Sequence, residues 1–226
     1  MSKKIVNILC EGQSEQQFAL KVLRPYFLSC DIVIKATLLT TNRKLNAQGG
    51  IINYAQVERD LNHLIRSCHD TEYETHYFST MFDLYALPSD FPGINNGNVN
   101  PYTYVEVIEV ALGKCFHSHR FVPYIELHEF EALVLCNLPK LKEEYILASE
   151  RIDALDTQWR KDYENPELVN SSVETAPSKR IIKALKGLYN YNKPRMAVEA
   201  TKAMGIDELR KQCPHFDEWL SKIESL

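Results

Sequence analysis

KIVNILCEGQSE, residues 4–15, decides the fold. Lys4 to Cys10 is a β-branched, mostly apolar run that stops abruptly at Glu11-Gly12, which reads as a buried strand. Ser14 reads as a helix N-cap with Gln17 at the capping-box position. Phe18, Val22 and Leu23 follow at helical spacing, and Pro25 lies near the helix end.

The same alternation continues outward. Residues 31–39 (DIVIKATLL) predict a second strand, and 40–50 a polar loop. Asn53 predicts the cap of a helix reaching His69, with Val57, Leu61, Leu64 and Ile65 on one face. Residues 75–82 predict a third strand ending at Asp83. Residues 84–101, with three prolines and two glycines, predict a long loop of the kind that usually carries function or disorder. A helix over 104–115 and a fourth strand over 121–127 complete the order βαβαβαβ, which argues for a parallel sheet in an α/β fold. After Pro139 the pattern is helical: 140–148, 149–162, 177–188, 195–203 and 206–224. The expected organisation is an α/β domain at 1–136, with about four strands flanked by helices, and a helical appendage at 137–226.

Composition bounds the function. The chain has 226 residues, 45% hydrophobic and 25% charged, so disordered and fibrous classes are excluded. No apolar run approaches the ~18 residues of a membrane span, and the N-terminus lacks the form of a signal peptide. The six cysteines contain no C-x-x-C pair, which excludes zinc-knuckle and thioredoxin motifs and suggests a reducing cytoplasm. Walker A, dinucleotide-binding and G-x-S-x-G motifs are absent. His128-Glu129 fails as a zincin motif because position 132 is Ala. Cys10 lacks an arginine six residues on, so it reads as a core thiol.

In an open parallel sheet, sites form outside the carboxyl ends of the strands. Here those ends carry carboxylates: Glu11, Asp83 and Glu126, followed by His128, Glu129 and Glu131. Acids converging from separate strands suit Mg²⁺, which prefers oxygen ligands and takes one or two carboxylates with several waters. Any one of them alone could equally cap a helix or face water. On a helix, His128 and Glu131 would share a face, where His128 could ligate metal, orient a carboxylate or bind phosphate.

The net charge is −4, yet residues 175–205 hold seven cations and one anion. Thr175 and Pro177 predict a helix start, with Lys179 and Arg180 in its first turns. Cations there oppose the helix dipole, a cost that phosphate at the helix start would offset. Tyr189 and Tyr191 could stack on bases or simply pack. The bland alternative for the segment is a solvated helix face.

Four stretches carry a resemblance: CEGQSE (10–15), FDLYALPSDFPG (82–93), ELHEFEALVL (126–135) and ETAPSKRI (174–181). Together they resemble a bacterial Toprim-like family, domain of unknown function 4276, distantly similar to overcoming-lysogenization-defect nucleases. The resemblance implies a Toprim-like fold, with Glu11 as general acid/base or metal ligand and Asp83 opening the Mg²⁺- or Mn²⁺-binding pair. The residue two after Asp83 is Tyr85 where the Toprim pattern has Asp. Asp90, Glu129 or Glu131 is expected to supply the missing carboxylate. The expected function is a metal-dependent phosphodiesterase acting on DNA or RNA, with His128 and Lys179 assisting and Arg180 binding phosphate. The resemblance further implies anti-phage defence, an AAA- or ABC-type ATPase partner, and leaves a homo-oligomer open. The alternative is a non-catalytic module that binds nucleotide, nucleic acid or the ATPase.

Overall fold

A computed structural model describes residues 2–40, 50–94, 100–116, 118–170 and 173–226. Parts of two expected loops, 41–49 and 95–99, lie outside the described residues. The fold is α/β: a parallel sheet with helices on both faces and a run of helices at the C-terminal end. No helix among the described residues is long and apolar enough to cross a membrane.

Strand β1 (Lys3–Cys10) lies in the middle, between β2 (Ile32–Leu38) and β3 (Glu74–Asp83). From Ile5 on it is buried on both sides, which is why its sequence is almost wholly apolar, interrupted only by Asn7, whose Nδ2 lies 3.1 Å from the Tyr77 carbonyl it donates to. Val6, Ile8 and Cys10 pack into the core of one face, and Leu9 into the core of the other.

The fourth position of the sheet is split. β4 (Phe121–Val122) and β5 (Ile125–Glu126) both pair with β3, in place of one strand over 121–127. Pro123 sits at the break and offers no backbone N–H. Thr80 bridges the gap with its side chain: Oγ1 donates to the Tyr124 carbonyl at 2.9 Å and accepts from the Tyr124 N–H at 3.0 Å.

The first helical segment is one rod in three parts: α1 (Gln13–Phe18), a π-helical turn (Ala19–Leu23) and α2 (Arg24–Leu28). The wider turn directly precedes Pro25, which cannot donate to an ordinary α-helical ladder. Its N-cap is Gly12 rather than Ser14, with Glu15 closing the capping box. Asn53 caps α3 (Tyr54–Ser67) as expected, accepting from the Gln56 N–H at 3.0 Å.

Two cores result. Helices α3 and α4 (Pro101–Phe116) cover one face through Val57, Leu61, Val105, Ile108 and Leu112. The other face receives α1 and α2 together with the C-terminal helices: α5 (Glu131–Leu135), α6 (Leu138–Glu144), α7 (Ser149–Asp162), α8 (Pro177–Leu185), α9 (Lys193–Met204), α10 (Ile206–Gln212) and α11 (Pro214–Glu224). The segment expected over 206–224 is broken at Cys213-Pro214 into α10 and α11. Trp219 of α11 stacks on Tyr124 with ring centroids 4.3 Å apart and donates from Nε1 to Ser79 Oγ at 3.0 Å.

Candidate functional site

The strand order β2-β1-β3-β4 fixes where a crevice opens. From β1 the chain crosses to one neighbour, β2, and then returns to the other side at β3. The carboxyl ends of β1 and β3 therefore flank the point where the strand order reverses, the usual ligand position in such sheets. Glu11 and Asp83 stand at those two ends.

The backbone holds them together. The Glu11 N–H donates to the Met81 carbonyl at 3.1 Å, and Glu11 Oε2 accepts from the Asp83 N–H at 3.1 Å. Asp83 Oδ1 accepts from the Phe130 N–H at 2.8 Å. Glu126 is opposite Asp83 in the strand register. It is 2% exposed, and its Oε1 has no hydrogen-bond partner among the described residues. Glu15 contributes a further buried carboxylate, its Oε2 accepting from the Gly12 N–H at 2.9 Å. A Cβ at position 12 would sit 3.0 Å from that oxygen, so glycine lets the carboxylate close over the turn. Glu131, at the start of α5, is buried and pairs with Lys193 of α9, Nζ to Oε1, at 3.1 Å.

Crowded, buried acids resist ionisation. Burial, then repulsion from Glu15, raises the Glu11 carboxyl to about 8. Asp83 is pushed well above the carboxylate range by burial, then by Glu11, Glu15, Glu126 and Glu131. Glu126 is raised in the same way by burial and its acidic neighbours. Burial lifts Glu131 to about 7, and Lys193 moderates the rise. The site therefore holds protons near neutral pH and would release them to a bound cation.

Not every expected residue joins this cluster. Asp90 accepts from the Tyr54 N–H at 3.1 and 3.2 Å, so its carboxylate is tied to the start of α3. Glu129 Oε2 accepts from the Ser178 N–H at 3.0 Å. The start of α8, expected to receive phosphate, thus receives an internal carboxylate. Its N-cap is Ala176 rather than Thr175.

Lys179 is exposed. Arg180 is half-buried, donating from Nε to the Thr175 carbonyl at 2.7 Å and from Nη2 to the Tyr163 hydroxyl at 2.9 Å. Both line a cavity of about 580 Å³ between α7 and α8, together with Arg151 and Lys183. Tyr189 packs on Tyr145, ring centroids 5.2 Å apart.

His128 and Glu131 do not share a helix face. His128 has φ +73°, a left-handed conformation that turns the chain before α5 begins. Its ring is buried and stacked on Tyr85 at 5.2 Å, and burial lowers its pKa to about 4.

The donor chemistry fits a hard cation. The converging groups are carboxylates, and one buried oxygen of Glu126 lacks a partner. No three His, Cys, Asp or Glu side chains among the described residues are already gathered as a metal cage. The fit is to an ion that takes one or two carboxylates and keeps its waters, as Mg²⁺ does.

The family model "Domain of unknown function (DUF4276)" matches residues 10–224. The chain belongs to this family. No curated protein and no solved structure matches it. The DUF4276 match spans every acid of the cluster and Lys193. Two cluster residues were not singled out in the sequence. Glu15 had a local signal, one helical turn from Glu11. Lys193 had none, because its partner Glu131 is far away along the chain and meets it only through the packing of α9 beside α5.

Proposed function

We propose that this DUF4276 protein is a metal-dependent phosphodiesterase acting on nucleic acid, with a Toprim-like use of its strand-end acids. The observation that carries the reading is the Glu11–Asp83 contact at the reversal point of the sheet, backed by Glu126 and Glu131. Glu11 and Asp83 would hold Mg²⁺ or Mn²⁺, aided by Glu131 or the second oxygen of Glu129. The ion would supply an acidified water and positive charge for the developing oxyanion. Glu11 holds a proton near neutrality in the free protein and would give it up on taking the ion. In the hydrolysis, the attacking water would give one proton to solvent as its oxygen bonds to phosphorus, the P–O ester bond would break, and the leaving oxygen would take a proton from solvent. Asp83 is oriented for its part by the Phe130 N–H.

The test is cleavage of single-stranded and duplex DNA and RNA with Mg²⁺ or Mn²⁺, alone and with a candidate AAA- or ABC-type ATPase partner. Glu11→Gln and Asp83→Asn should each abolish cutting while the protein stays folded. Variants that cut normally would remove both residues from the chemistry.

A second reading has its own support. Tyr85 stands where the Toprim pattern has an acid, and the Lys193 ammonium already neutralises part of the cluster. These favour a non-catalytic module that binds nucleotide, nucleic acid or an ATPase. Metal-independent binding without cleavage would support it. Anti-phage defence would be the setting of either form.

A further inference from the structure

Beside the acid cluster lies a cleft of about 440 Å³. Tyr85 and His128 form one wall, Leu87, Ile94 and Tyr104 line it, and Ser89 stands at its rim. The volume is within the ~300–1,000 Å³ of ordinary small-molecule sites. Among the described residues, none that lines it is Asp, Glu, Lys or Arg. It therefore offers a phosphate no counter-charge. What it offers is aromatic and apolar surface, chiefly from half-buried Tyr85, which His128 backs by stacking against it, and from Tyr104.

The cleft is joined to the acid cluster by backbone. The Tyr85 N–H donates to the His128 carbonyl at 3.2 Å, and the Phe130 N–H donates to Asp83 Oδ1 at 2.8 Å. These two bonds lace segment 83–85 to segment 128–130. Asp83 falls on the acidic side of this seam, and Tyr85 and His128 border the cleft. The left-handed backbone at His128 is what brings its ring to that wall. Asn170 Nδ2 lies 3.4 Å from His128 Nδ1 and braces the imidazole from behind. A strained residue fixed by a stacking partner and a side-chain contact is a feature that functional clefts retain.

We propose that this cleft takes one unpaired nucleobase of the substrate, packed against Tyr85, next to the phosphate handled by the acid cluster. The inference rests on the phosphodiesterase reading and narrows it to substrates with an unstacked nucleotide at the cutting point. A base inside a duplex cannot enter such a space without leaving its stack. Stacking of a base on an aromatic side chain is tolerant of sequence. The cleft therefore selects for single-strandedness more than for base identity.

The experiment is a binding titration with 12-nucleotide oligomers carrying one 2-aminopurine, whose fluorescence falls when it stacks. Single-stranded DNA, single-stranded RNA and a duplex of the same sequence are compared in Ca²⁺, in wild type, Tyr85→Leu and Ser89→Trp. Tyr85→Leu removes a stacking face, whereas Ser89→Trp fills the rim from an exposed position and leaves the core untouched.

Wild type should bind one or both single strands at least about tenfold more tightly than duplex, with quenching. Both variants should lose about tenfold or more in affinity and most of the quenching, a loss of the size of one stacking contact. The two single-stranded arms tell RNA from DNA. Equal binding of duplex and single strands, or unchanged affinity and quenching in Ser89→Trp, overturns the proposal. Cleavage separates the two claims. Pocket-dependent binding without metal-dependent cutting would sink the phosphodiesterase reading and keep the base cleft. Cutting of duplex DNA that Tyr85→Leu leaves unchanged would do the reverse.

Discussion

Glu11→Gln should make the metal-free protein more stable, in a pH-dependent way. The glutamine keeps an oxygen to accept the Asp83 N–H, now at 3.1 Å from Glu11 Oε2, but carries no charge. Folding raises the Glu11 carboxyl from 4.5 to about 8. Between those two values the native state holds more protons than the unfolded chain, so stability falls as pH rises. Each pH unit inside that window costs about 1.4 kcal/mol, which accumulates to about 3 kcal/mol at neutral pH. Asp83, raised in the same direction, titrates together with Glu11. Wild type and variant should therefore be nearly equal at about pH 5. Near pH 7 the variant should be ahead by up to about 3 kcal/mol, or about 6–12 °C in Tm for a chain of this size. Urea denaturation in EDTA from about pH 5 to 8 reads the gap directly. Saturating Mg²⁺ should narrow it, since the ion stabilises only the wild-type carboxylate. A wild-type stability that is flat or rises over this window would refute the reasoning, as would a gap that does not grow with pH.

Other outcomes follow from the basic cavity and the loop. Lys179→Ala with Lys183→Ala should flatten the salt dependence of nucleic-acid binding by about 0.7–0.9 per lost phosphate contact, with the fold intact; an unchanged slope in a salt titration would reduce the segment to surface. Arg180→Ala should lower stability by about 1–3 kcal/mol in chemical denaturation, because its guanidinium holds Thr175 and Tyr163. Gly93→Ala should cost about 2 kcal/mol or more, since φ is +82° and a Cβ would meet Ile108 Cα at 2.9 Å; a neutral change in Tm would contradict that packing.

The elements with strong local signals were legible in the sequence. β1 announced itself by a mostly apolar, β-branched run, and α3 by Asn53 and a clear apolar stripe. The position of Glu11 and Asp83 also followed, because strand ends in a parallel sheet share one edge. Long-range substitutions for local signals were not legible. Ser14 looked like a cap, but Glu15 reaching back to Gly12 closes the helix start instead. Thr175 looked like a cap, but the first turn of α8 is served by Glu129, from a segment almost fifty residues earlier. The fourth strand looked continuous because Pro123 lies in an apolar run, and only Thr80 on the neighbouring strand reveals how the gap is closed. Asp90 sits in the expected motif, yet its carboxylate accepts from the Tyr54 N–H at the start of α3, a long-range partner with no local signal.

The central claim, that the Glu11–Asp83 crevice is a divalent-cation site, is tested most directly by calorimetric titration of Mn²⁺ into wild type and Asp83→Asn, run at about pH 7 in two buffers of different ionisation enthalpy. The account predicts saturable binding to wild type, with protons released because Glu11 and its neighbours hold them in the free protein, and no binding to the variant. Identical heats for the two proteins, or binding that releases no proton, would contradict it.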